Sequence, residues 1–226
     1  MASIETIAYL RGPLVINRAM DGALARLVKA NGRALIAVSP GLEGGRRRFA
    51  IAHELGHHEL HPGRDALALC TRTDLQTRDL SREGEANAFA VELLLPRSLV
   101  EPFCDVKESS LDEVREIADA FQVSMLAAAL RFVELSPEAC AVVVCKQGKV
   151  AWASASSDFG PAPAKGEAVQ PASLAYEQTV GRPIPKDPED VPASAWPGCR
   201  QRGELVEHSA AWGPASTLTL LWRPVE

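Results

Sequence analysis

No apolar run in this 226-residue chain approaches the roughly 18 residues that a membrane-spanning helix needs. Met1 to Glu5 show no basic stretch followed by an apolar one, so no signal peptide is expected. Cysteine is sparse, with five residues at 70, 104, 140, 145 and 199, never spaced as Cys-x-x-Cys. An odd, scattered set reads as the reduced thiols of a cytoplasmic protein. Basic residues are not in excess: the net charge of −5 argues against a general nucleic-acid binder. The sequence contains no internal repeat. What remains is ordinary for a soluble globular chain, 46% hydrophobic and 23% charged, with room for one large domain or two small ones.

Against that background one stretch stands out, His53-Glu54-Leu55-Gly56-His57, followed by His58 and His61. Histidines four apart on a helix project from one face about a turn apart, close enough to share one ion. Glu54 lies about 100° round from His53, where it borders the ion without displacing a ligand. That is the place of a general base. The preceding Phe49-Ala50-Ile51-Ala52 is apolar, and Gly56 costs about 1 kcal/mol relative to alanine inside a helix. A close backbone approach at Gly56 would account for that cost.

A second helix is expected from Arg82 to Leu95, with Ser81 as N-cap and Pro96 as the stop. Helical phase puts Glu83 in line with Asn87, Ala90 and Leu94 on the inward face, and Glu85 beside Glu92 on the opposite, solvated side. Glu83 is therefore the third ligand. Small Ala86 and Ala90 let the two helices approach, and Asn87 is placed to hold Glu83 or a histidine from behind. His61 is about 12 Å along the axis from His53, too far to share the ion with it. It reads either as a helix end favoured by the dipole or as an auxiliary group near the cleft.

His53-Glu54-Leu55-Gly56-His57…Leu60-His61 together with Glu83-x-x-Ala86-Asn87-x-Phe89-Ala90-x-x-Leu93-Leu94-x-Pro96 resembles the ImmA/IrrE family of zinc metallopeptidases over roughly residues 30–100. The resemblance implies a gluzincin-like site, with His53, His57 and Glu83 as zinc ligands and Glu54 as catalytic base. It implies a task as well: cleavage of a helix-turn-helix (XRE-type) transcriptional repressor, so that silenced genes are expressed. Zinc is favoured by ligand type, although two imidazoles and a carboxylate also suit Mn2+ or Fe2+. His58 departs from an expected apolar position and, at about 140° from His53, is expected in solvent. An oxyanion-stabilising partner is expected too, with Tyr9, His61 and Tyr176 as candidates.

The fold class expected is α+β. Asn31-Gly32 between two apolar runs predicts a hairpin over residues 23–38, a scaffold whose edge can also hold an extended peptide. Ile4 to Leu10 reads as a short helix or a strand. Arg46-Arg47-Arg48 reads as a solvated loop end before the metal helix, and residues 62–80 as a polar connection. Residues 111–135 form a helix-turn-helix-like pair about Phe121-Gln122-Val123-Ser124. With four basic and eight acidic side chains in residues 97–136 it is badly suited to phosphate, so direct DNA binding is disfavoured and packing on the peptidase part is expected.

From Ser136 the texture changes to a hairpin over 139–154 and closing strands over Glu204–Ser209 and Ser216–Trp222, with eight of the 16 prolines between Pro161 and Pro197. The expected organisation is a zincin-like peptidase domain over 1–105, the helical segment over 106–136, and a small β-rich domain over 137–226. The family resemblance suggests a GAF-like sensing role for the last. Two other functions stay open: a metal-containing regulator that sequesters the repressor without cutting it, and a DNA-binding factor acting through residues 111–135.

Overall fold

The computed structural model describes residues 3–20, 22–61, 82–105, 109–199 and 203–223. It is a mixed α+β chain in two compact units, residues 1–97 with 121–124, and residues 98–120 with 125–226. The helical segment divides, its 121–124 turn grouping with the first unit and its two helices with the second.

In the first unit, Ile4–Arg11 settles as helix α1, opened by the Ser3 side chain accepting from the Thr6 N–H. Strands β1 (Leu14–Asn17), β2 (Ala25–Ala30) and β3 (Arg33–Val38) form a sheet in the order β1-β3-β2. The expected hairpin is β2–β3. Asn31 and Gly32 both take positive φ, 51° and 72°, as a two-residue turn matched to strand twist requires. β1 runs parallel to β3, a pairing that sequence periodicity does not announce. Helix α2 (Gly44–Leu60) and helix α3 (Arg82–Leu94) complete the unit around a core of Ile4, Leu27, Ile36, Ile51, Leu55 and Leu94. The proposed cap Ser81 and the connection 62–80 lie outside the described residues.

The three arginines are not a loop end: they lie in α2, which begins at Gly44. Their charge opposes the helix dipole. Arg47 is held there by bonds to Glu5 on α1 (3.1 Å) and Asn17 on β1 (2.8 Å). Tertiary partners thus extend a helix where local electrostatics argue against it.

Gly56 marks a close approach of α3 to α2. A Cβ there would stand 3.1 Å from both Ala86 Cα and Ala86 O, and 3.2 Å from Phe89 Cβ. Backbone atoms cannot swing away as a side chain can. Gly56→Ala is therefore expected to destabilise by about 1–2 kcal/mol in urea unfolding, despite alanine's better helix propensity. A gain in stability would mean that the helices separate freely.

The second unit contains helices α4 (Arg97–Cys104), α5 (Leu111–Phe121) and α6 (Met125–Leu135), though Arg97 and Phe121 themselves group with the first unit. Its sheet has the order β5-β4-β8-β7-β6 and is antiparallel throughout. The expected hairpin is β4–β5 (Cys140–Lys146, Lys149–Ala155), and the two closing strands are β7 (Glu204–Ala211) and β8 (Ser216–Trp222), which pair with each other. Between β5 and β7, among the described residues, the proline-rich stretch contributes the short helix α7 (Ala175–Thr179), a 3-10 turn and the edge strand β6 (Glu189–Pro192).

Glu207 on β7 is fully buried and organises this unit. Its Oε1 accepts from Ser173 Oγ (2.9 Å), Ala175 N (2.9 Å) and Ser209 Oγ (2.7 Å), and its Oε2 from Trp196 Nε1 (2.8 Å). Burial pushes its pKa up, while the four donors pull it back. Glu207→Leu strands those donors without water. The expected loss is at least about 3 kcal/mol of unfolding free energy in urea. Glu207→Gln, which keeps one acceptor, should lose less.

Candidate metal centre

The site is built where α2 and α3 face each other. His53 and His57, one turn apart on α2, point their Nε2 atoms together at 3.0 Å. Glu83 on α3 brings Oε2 to 3.1 Å from His53 Nε2 and 3.3 Å from His57 Nε2. His53 is fully buried, His57 nearly so, and Glu83 partly exposed. These three residues form a group able to hold a metal ion.

Hydrogen bonding explains why such a cluster wants a cation. Asn87 Oδ1 lies 2.8 Å from His53 Nδ1 and can only accept, so it takes the Nδ1 proton and leaves Nε2 as a bare lone pair. Burial, followed by the neighbouring His53, holds the His57 pKa below its ordinary value, so this imidazole is neutral near pH 7. His57 Nδ1 meets His61 Nδ1 at 3.1 Å. The bare His53 nitrogen and the Glu83 carboxylate converge on one point that calls for a proton or a cation between them. The observed separations of 3.0, 3.1 and 3.3 Å also match the edge of a tetrahedron with zinc-like arms, about 3.3 Å. The donor set fits zinc.

Glu54, on the same helix, is wholly buried. Its Oε2 accepts from the Leu27 N–H of β2 at 2.8 Å, while Oε1 has no hydrogen-bond partner among the described residues. Burial pushes its pKa up to about 8. The Leu27 N–H works against that shift, the Glu83 charge adds to it, and Arg26 opposes it. A carboxyl so placed exchanges a proton near neutral pH.

Several expectations change here. His58 is half-buried rather than solvated, its Nε2 3.6 Å from where a Cβ on Gly12 would stand, and burial lowers its pKa. Glu85 keeps its exposed position yet reaches His61 Nε2 at 2.9 Å, a contact that helical phase alone conceals. Lys29 on β2 donates to the His58 carbonyl (3.1 Å) and lies 3.5 Å from that of His61, closing the end of α2. Of the oxyanion candidates, Tyr9 is 65% exposed on α1, Tyr176 packs on the core of the second unit, and His61 is already engaged. Arg131, the lone basic residue of α6, is only 3% exposed and pairs with Glu134 at 3.1 Å. A phosphate cannot reach it there.

A helix bearing His-Glu-x-x-His beside a three-stranded sheet, with a carboxylate delivered by the next helix, is a zincin-like arrangement. Its lineage is specific: the chain belongs to the ImmA/IrrE family, the model of the IrrE N-terminal-like domain (Peptidase_M78) matching residues 12–133. Over 79 residues the chain is 38% identical to "Uncharacterized immunity region protein 2" of Bacillus phage phi105. That match covers 35% of this chain and 48% of the phage protein, so about half of the relative's length is spanned. A solved structure described as a Mycobacterium tuberculosis transcriptional regulator has the same general fold, with a TM-score of 0.56 at 16% identity over 96% of this chain and 68% of that one. No helix among the described residues is long and apolar enough to cross a membrane.

Proposed function

We propose that this chain is a zinc-dependent metalloendopeptidase of the cytoplasm that cleaves an XRE-type helix-turn-helix repressor and so relieves repression. The observation that supports this reading is the convergence of His53, His57 and Glu83 on one point, with the half-satisfied carboxyl of Glu54 beside it. Membership of a peptidase family and the likeness to a phage immunity-region protein favour the repressor as substrate. When bound, the metal supplies Lewis acidity at the scissile carbonyl and makes water acidic enough to attack near neutral pH. Leu27 N–H holds Glu54 Oε2, leaving Oε1 to take the proton and later return it to the departing amine. Asn87 keeps His53 in the tautomer that ligates. In this reading residues 1–105 are the peptidase domain, 106–136 a helical segment and 137–226 a sensing region.

The test is incubation of the zinc-loaded chain with XRE-type helix-turn-helix repressors from the same genome, followed by intact-mass spectrometry. Discrete fragments that vanish with a chelator are expected. An intact repressor that has nonetheless lost operator binding would instead favour sequestration.

A further inference from the structure

We propose that His61 and Glu85 form a positioning relay that fixes the tautomer of His57 and thereby sets how tightly the site holds its metal. The two ligand histidines are supported in different ways. Behind His53 stands an amide oxygen, which has no proton to offer. Behind His57 stands another imidazole, and an imidazole can present either a lone pair or an N–H. If His61 carried its proton on Nδ1, His57 would have to accept it there and would turn a protonated Nε2 toward His53 and Glu83. Such a nitrogen cannot ligate.

Glu85 selects between the two states. Its Oε2 stands 2.9 Å from His61 Nε2. A lone pair on that nitrogen would face a carboxylate oxygen, whereas an N–H there makes a charge-assisted hydrogen bond. Glu85 therefore keeps the His61 proton on Nε2. His61 Nδ1 is left bare to accept from His57 Nδ1–H, and His57 Nε2 is left bare for the metal. The relay returns to the ligand set by its own route, because Glu85 sits two residues after Glu83 on the same first turn of α3. That turn both supplies a ligand and, across two imidazoles, orients another. His61 itself is held at the end of α2, its N–H bonded to the His57 carbonyl at 3.2 Å, with Lys29 Nζ 3.5 Å from its own carbonyl. The geometry is thus anchored on α2, α3 and β2.

This inference rests on the metal reading proposed above, and the experiment separates the two. Zinc affinity is measured by competition with a chromophoric chelator on the full chain, its His61→Phe variant, and Glu85→Ala and Glu85→Gln. His61→Phe keeps a ring but no acceptor, so a 10- to 100-fold loss of affinity is expected. Glu85→Ala should lose severalfold, and Glu85→Gln, whose amide oxygen still accepts, should stay near the parent. A parent chain that binds no zinc overturns the metal reading and the relay with it. A parent that binds zinc while His61→Phe binds equally well overturns the relay alone. Long-range 1H–15N spectra of the zinc-loaded parent need no substitution: His57 is expected protonated on Nδ1 and His61 on Nε2. A His61 protonated on Nδ1 alone would overturn the relay.

Discussion

Metal-free Glu54→Gln protein is expected to be more stable than its parent at pH 7, by on the order of 3 kcal/mol, and no more stable at pH 4. The sign follows from the direction of the shift. Glu54 has an ordinary pKa of 4.5 and is raised to about 8 in the fold, because burial disfavours its charged form. A group raised in this way contributes its full stability below pH 4.5 and loses it as pH climbs toward 8. Glutamine carries no charge at any of these pH values, and its carbonyl can still accept from Leu27 N–H. Urea unfolding of the two metal-free proteins at both pH values measures the difference. Parallel stability curves would mean that the carboxylate is ionised comfortably in its pocket. The same variant is expected to bind zinc and yet cleave the repressor 10²- to 10⁴-fold more slowly, the usual contribution of a positioned general base. Undiminished cleavage would remove Glu54 from that role.

The second large effect concerns the metal. Ligand that binds only the folded state at about a thousand times its Kd stabilises by about 4 kcal/mol. For a chain of this size that is a rise of roughly 10 °C in the melting temperature of the zinc-loaded protein over the chelator-treated one. His53→Ala and Glu83→Ala should each abolish most of the rise, since each removes one of three convergent donors. An equal rise in both variants would relocate the metal to other residues.

The parts of this molecule that could be read in advance are those fixed by short-range geometry. Residues 53 and 57 fall on one face because a helix repeats every 3.6 residues, and Glu83 points inward for the same reason. Asn31-Gly32 turns because both positions tolerate positive φ. Gly56 was legible as a site of close approach because an interior glycine costs helix stability that a close neighbour accounts for, and Ala86 is what approaches. The rest depends on partners distant in sequence. Parallel pairing of β1 with β3 is decided by tertiary packing, as is the start of α2 at Gly44, where Glu5 and Asn17 receive an arginine that local rules would leave in a loop. Glu85 escaped because helical phase locates a Cβ and says nothing of where a long flexible side chain ends. β6 is four residues in a stretch dominated by proline and offers no alternation to detect.

The contact between Gly56 and the Ala86 backbone has a bearing on which ions are admitted. Helices held apart by long side chains can adjust their spacing, whereas helices already in contact through a hydrogen atom and a carbonyl cannot close further. The nitrogen and oxygen atoms of His53, His57 and Glu83 meet there on a small triangle, with sides of 3.0, 3.1 and 3.3 Å. Calcium, which prefers six to eight oxygens at about 2.3–2.6 Å, would need that triangle to dilate and two of its corners to change element. A methyl group added at position 56 would press on the backbone of α3 one turn beyond Glu83, and so on the side of that triangle which α3 supplies.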